Sequence, residues 1–137
     1  MTKQRLPKST FDKLAELRYQ LRNFMHFSEE AARKMGITPQ QHQLLLMIKG
    51  YPGREYASPS ELAERLQFRH NTCLGLISRT EQLGLIYREQ NQKDQRSVWI
   101  HLTDNGEKIL ERLSQIHLDE LDRIGIWVKH QNNELNL

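Results

Sequence analysis

The stretch SPSELAERLQFRHNTCLGLISR, residues 58–79, carries four consecutive polar side chains, Arg69, His70, Asn71 and Thr72. Gly75 and Arg79 follow them at helical steps. The chemistry open to this set is recognition rather than bond-making. An Asn amide pairs a donor with an acceptor and an Arg guanidinium is a planar fork of donors, the two shapes that bond bidentately to adenine and guanine edges. A Thr hydroxyl and the free amides of a helix start suit phosphate. A second polar set, Lys93, Asp94 and Arg96, lies in QKDQR. Elsewhere His26, His42, His70, His101, His117 and His130 show no spacing typical of a closed zinc site, so no metal is expected. His117 with Glu120 reads as a solvated i,i+3 pair. No phosphate-cradling glycine loop, nucleophile elbow or paired cysteine occurs, so neither a cofactor nor an enzymatic reaction is expected.

The elements that hold these residues follow from periodicity. Leu14, Leu17, Leu21, Phe24, Met25, Ala32 and Met35 recur at steps of three and four, a helical stripe over residues 11–35 that Ser9 or Thr10 can cap. Such a helix is roughly 37 Å long, more than a small domain needs. GITPQQ ends it at Gly36 and starts the next with Thr38 as N-cap, Pro39 at N1 and Gln41 closing a capping box. That helix carries Leu44, Leu45, Met47 and Ile48 and ends near Gly50. After the loop GYPGREYA, Ser58 and Glu61 form a second capping box for a short helix with Leu62, Ala63 and Leu66 inward. A three-residue break leads to a helix running to about Leu83, whose buried stripe is Cys73, Leu76, Ile77 and Thr80. LIYREQN and SVWIHL are short strands around a polar turn, a hairpin. Thr103 caps a last long helix with Ile109, Leu110, Leu113, Ile116, Leu121, Ile124 and Val128 on its stripe.

Helix, helix, helix, tight turn, helix, hairpin, long helix describes a mainly α chain with a small β-hairpin wing, a winged helix-turn-helix. The two long end helices are surplus to that module, and pairing with a second copy across a two-fold axis would cover their stripes. One domain over residues 1–137 is expected, with a lobe at 38–103 and a helical dimerisation region at 9–36 and 104–130.

Composition is consistent with this organisation. Hydrophobic residues are 37% of 137 and charged residues 27%, leaving little apolar material to spare for a self-sufficient core. The net charge of +3 is unevenly spread: residues 1–10 carry +3, and the stretch from Asp104 holds four bases against seven acids. The front and middle therefore suit a polyanion and the tail does not. The longest apolar run is the five residues 44–48, and the cationic start has no apolar segment behind it, so neither a membrane span nor a secretory signal is expected. One cysteine makes no internal disulfide, which fits a reducing cytoplasm.

In a helix-turn-helix the second helix enters the major groove with its first residues facing base edges. Gly75 costs about 1 kcal/mol relative to Ala inside a helix, which suggests close approach of something to that face. Taken alone, the helix is read equally well as a solvated face with a tolerated glycine, while the spacing of Asp94 and Arg96 is better read as an exposed turn ion pair worth under about 1 kcal/mol.

The surrounding residues resemble the multiple-antibiotic-resistance regulator (MarR) family of transcriptional regulators. SELAERL, the pattern TxxxLIxRxEQLGLI from Thr72, the wing with Asp94 and Arg96, and Leu102-Thr103-x-x-Gly106 agree with it in order and spacing, from Thr38 to about Leu113. The resemblance implies a homodimer that binds a pseudo-palindromic operator in double-stranded DNA, usually as a repressor. It implies that the helix from His70 enters the major groove and that Arg96, held by Asp94, reaches the adjacent minor groove, where narrowing strengthens the negative potential. It further implies release by a small aromatic or phenolic effector, for which Phe24, Met25, Met47, Tyr51 and Trp127 are candidate linings but are more readily read as core. Two departures stand out. Arg69 replaces the acidic N-cap common in the family, and Gly75 stands where a long polar residue is common. A winged-helix adaptor dimer that no longer reads DNA is the alternative those departures motivate. A redox role for Cys73 is disfavoured, because the peroxide-sensing cysteine of such regulators lies near the first helix.

Overall fold

The computed structural model describes residues 4–94 and 97–125. Five helices and one hairpin follow in order: α1 Lys8–Lys34, α2 Pro39–Lys49, α3 Pro59–Leu66, α4 His70–Gln82, β1 Ile86–Gln90, β2 Val98–Leu102 and α5 Asp104–Ile124. The strands are antiparallel, with Ile86 opposite Leu102 and Gln90 opposite Val98. Ala57 adds one bridge to the outer edge, accepting from the Ile100 N–H at 2.8 Å. The chain is thus mainly α with a β-hairpin wing, as the periodicity predicts.

Local signals place most boundaries. Both capping boxes form: Thr38 accepts from the Gln41 N–H and returns its own N–H to the Gln41 side chain, and Ser58 does the same with Glu61. Thr103 caps α5 by accepting from the Gly106 N–H at 3.1 Å. α1 departs from expectation at its start. It begins at Lys8 behind Pro7, with no side-chain cap, so neither Ser9 nor Thr10 serves. The fixed φ of proline sets the entry that a hydroxyl would otherwise have to hold.

The core lies where α2, α3, α4, the hairpin and the first half of α5 meet. Leu44, Leu45, Ile48, Leu62, Ile77, Ile86, Ile100 and Leu113 are fully buried. α1 takes little part, since only Ala31 and Ala32 of its 27 residues are buried. Its stripe stands open: Phe11, Leu14, Leu17, Leu21 and Met25 are 45–54% exposed. Half the length of α1, at about 1.5 Å per residue, therefore projects with an apolar face that the other described residues do not cover.

Candidate nucleic-acid interface

α4 is held by one face and leaves the other free. Cys73, Leu76, Ile77 and Thr80 are buried, and the Thr80 hydroxyl donates to the Leu76 carbonyl at 2.7 Å. On the opposite side His70, Asn71, Thr72 and Arg79 are exposed and Gly75 is half-exposed. The N-cap is Arg69, whose side chain makes no capping bond, and the first turn holds no acid. The uncapped amides and the positive end of the helix dipole thus coincide with a cation, an arrangement that attracts an anion.

The turn that aims α4 depends on two devices. Gln67 ends α3 in the left-handed region at φ 58°, and the Phe68 N–H donates back to the Ala63 carbonyl at 2.9 Å. Before α3, Glu61 gathers the preceding loop. Its carboxylate accepts from the Ser58 N–H at 2.8 Å, from the Tyr51 hydroxyl at 2.9 Å and from Arg54. Burial alone would raise the Glu61 carboxyl, but the Ser58 and Tyr51 bonds and the Arg54 charge hold it below its ordinary range. The Arg54 guanidinium in turn lies 4.5 Å from the Tyr51 ring centre and 4.7 Å from that of Trp99 on β2. One arginine therefore fastens the loop, the start of α3 and the wing together.

The wing turn is closed by Asn91, whose side chain accepts from the Lys93 N–H at 3.0 Å and donates to the Ser97 hydroxyl at 3.0 Å. Lys93 and Asp94 are exposed at its tip. Arg96 lies outside the described residues. Arg88 joins wing to recognition helix, donating from Nε to Glu81 at 3.1 Å and from Nη2 to the Ser78 hydroxyl at 3.3 Å. Sequence reasoning missed this link, because an Arg in a strand and a Glu at a helix end carry no spacing signal that pairs them. Six of the candidate residues thus share α4 and its cap, and two share the wing tip.

At Gly75, the neighbour that comes close is the protein's own. A Cβ placed there would stand 3.2 Å from Nη1 of Arg79. At Gly106 the crowding is of another kind: a Cβ would stand 2.1 Å from the Leu85 carbonyl oxygen. That contact gives Leu102-Thr103-x-x-Gly106 a physical reason, since the first turn of α5 sits directly on the backbone entering β1.

Other sequence readings resolve differently. His117 is not on a solvated face. It is buried, bonded through Nε2 to the Ser28 hydroxyl at 2.6 Å and through Nδ1 to the Leu113 carbonyl, with the His42 ring 4.8 Å away. The i,i+3 pattern misled because α1 packs over that side of α5. Burial and the neighbouring His117 lower the His42 pKa from 6.5 to about 4. Burial also pushes the Cys73 thiol up, away from the reactive thiolate form. Among the described residues no group of three or more His, Cys, Asp and Glu is placed to hold a metal ion. The five candidate effector-lining residues do not converge. Met47 and Tyr51 pack on the core, Met25 sits on the exposed stripe of α1, and Trp127 lies outside the described residues. Phe24 lines a crevice of about 110 Å³ between α1 and α5 with Asn23, Phe27, Glu120, Arg123 and Ile124.

Comparison with known proteins places this geometry. The sequence profile of the MarR family matches residues 35–97. The HTH-type transcriptional repressor MdtR of Bacillus subtilis is 35% identical over 78 residues, 57% of this chain and 48% of MdtR. The chain spans about half the length of the curated relatives it matches. A MarR family protein from Bacillus stearothermophilus superposes with a TM-score of 0.74 at 24% identity, over 88% of this chain and 82% of that one. A MepR mutant from Staphylococcus aureus, bound to an oligodeoxyribonucleotide, superposes with a TM-score of 0.68 at 22% identity, over 89% and 83% of the two chains. These structural likenesses concern the fold, while the profile match falls on the helix-turn-helix and wing themselves; over that segment the chain is similar to the MarR family of winged-helix proteins.

Proposed function

We propose that the protein is a sequence-specific, DNA-binding transcriptional regulator, a homodimeric repressor of a pseudo-palindromic operator. The observation that carries this is α4. A helix pinned by four buried side chains turns outward an uncapped, acid-free first turn bearing Arg69, His70, Asn71 and Thr72. Asn71 and Arg79 supply bidentate base contacts, and Thr72 with the open amides supplies phosphate contacts. Lys93 and Asp94 at the wing tip, with Arg96 two residues further along the sequence, are assigned to the adjacent minor groove. Residues 38–103 are the DNA-binding lobe, and residues 9–36 and 104–130 the dimerisation region. The family placement and the oligodeoxyribonucleotide carried by MepR support the same reading.

Two copies joined through the bare stripe of α1 would place two α4 helices about 34–36 Å apart, in successive major grooves. The effector is a small aromatic or phenolic molecule that shifts this spacing, a change in population between two lobe arrangements. The crevice between α1 and α5, with two Phe rings and the charges of Glu120 and Arg123, supports that class. No helix among the described residues is long and apolar enough to cross a membrane. A cytoplasmic protein that binds its partner rather than transforming it is part of the same proposal.

The test is selection of duplexes from a random library, followed by titration of the winning site at several salt concentrations. A regulator recovers one palindrome and loses affinity steeply as salt rises. The adaptor alternative gives neither a motif nor a salt slope, and that pair of results would refute the DNA reading.

A further inference from the structure

Asn71, Gly75 and Arg79 follow one another at steps of four on the exposed face of α4. Side chains at such steps are neighbours, and a long side chain on a helix leans back over the turn N-terminal to it. Arg79 does so, bringing Nη1 over the place where Gly75 has no side chain. Its guanidinium is therefore carried one turn toward Asn71 instead of lying at its own level, deeper along the helix. The adjacent carboxylate does not hold it back. Glu81 is occupied by Arg88 at 3.1 Å, and among the described residues Arg79 has no acidic partner.

Taking the protein to read duplex DNA, we infer that Gly75 and Arg79 form one base-reading unit, in which the bare backbone at Gly75 is the slot through which the Arg79 fork reaches a guanine beside the base met by Asn71. Guanine is the partner because only its O6 and N7 present two acceptors side by side in the major groove. The third turn of a recognition helix is normally too far from the groove floor to read bases, since its first residues do so. The empty position at Gly75 removes that handicap. It also explains why a glycine stands in the middle of a helix whose packing does not need one: apart from its chain neighbours and the backbone of α4 itself, what a Cβ there would meet is the movable end of Arg79.

The experiment is duplex selection with the full chain and with Arg79→Lys, Arg79→Ala and Gly75→Ala, each first checked for an unchanged or raised urea midpoint. The full chain should select a guanine in each half-site. Both Arg79 variants should lose about tenfold or more of the discrimination at that position and no other. Arg79→Lys should keep the salt slope, since charge remains while the fork is lost. Gly75→Ala should weaken the same guanine preference, because the neighbouring guanidinium must give way. If both Arg79 variants instead bind every sequence more weakly to the same degree, with Ala lowering the salt slope by about one, Arg79 is a phosphate contact and the proposal is overturned. Full guanine preference in Gly75→Ala would overturn the part given to the glycine. A wild-type selection without any motif would refute the DNA reading itself.

Discussion

Gly106→Ala tests whether the base of the wing is set by backbone contact. Gly106 is the third residue of α5, and its amide donates to the Thr103 cap at 3.1 Å. A methyl there would begin 2.1 Å from the Leu85 carbonyl oxygen, whereas carbon meets such an oxygen at about 3.3 Å or more. Helix and strand entry must therefore part by about 1 Å, and neither is a flexible side chain that can step aside. Overpacking of this kind costs about 1–3 kcal/mol. The same oxygen accepts the Thr103 N–H at 3.0 Å, and the Thr103 hydroxyl donates to the Gly84 carbonyl, so parting the two backbones weakens a bond worth about 1 kcal/mol. Against this stands the helix preference of Ala over Gly, at most about 1 kcal/mol. The net expectation is destabilisation by about 2 kcal/mol, measured by urea unfolding at fixed protein concentration, because a dimer's stability depends on it. Amide exchange should also quicken at Ile86 and Thr103, where the strain enters the wing. An Ala variant as stable as the wild type, or more so, would mean that the contact yields freely and would refute the reasoning.

Gly75→Ala should act with the opposite sign on the free protein, stabilising it by up to about 1 kcal/mol, because only the movable end of Arg79 lies near; a urea midpoint below wild type would contradict this. Acid should loosen the junction of α1, α2 and α5. His42 has its pKa lowered to about 4 in the fold against 6.5 when free, so the unfolded chain takes up a proton before the folded one, and stability is lost as pH falls from about 6.5 toward 4. Between pH 7.5 and 5.5 the loss is about 1.4 kcal/mol, and it should shrink in His42→Leu; equal pH dependence in both proteins would rule out His42 as the source. Cys73, fully buried with a raised pKa, should react with thiol reagents many times more slowly in the native protein than in urea. Equal rates would show that α4 opens readily. Leu17→Glu on the bare α1 stripe should convert a dimer to monomer in sedimentation equilibrium while the helical content of the lobe persists, and an unchanged mass would move the interface elsewhere.

The fold was legible wherever a local signal decides structure alone. Thr38-Pro39-Gln40-Gln41 and Ser58-Pro59-Ser60-Glu61 each specify a helix start through side chains within three residues, and both form as read. The buried stripe of α4 was readable because Cys73, Leu76, Ile77 and Thr80 repeat at helical steps. What stayed hidden depends on distant partners. Arg88 meets Glu81 only because the wing folds back beside α4, Arg54 finds Trp99 across 45 residues of chain, and His117 is buried by Ser28 and Phe24, which arrive on a different helix. A helical wheel of α5 cannot distinguish a face open to water from one that another helix covers.

The same limit applies to the candidate interface and shows why its two glycines mean different things. Sequence alone gives Gly75 and Gly106 one description, a glycine inside a helix. The surroundings separate them: at Gly106 the neighbour is backbone and at Gly75 it is the tip of an arginine. Backbone cannot give way without moving two elements, so Gly106 is a requirement of the fold. An arginine tip can move at little cost, so stability alone gives no reason for Gly75, and the helix would be sounder with Ala. A residue that weakens its own helix and relieves no fixed contact is best accounted for by what approaches from outside. On α4 that direction is the face bearing Asn71 and Arg79, with no acid in the first turn to repel a polyanion.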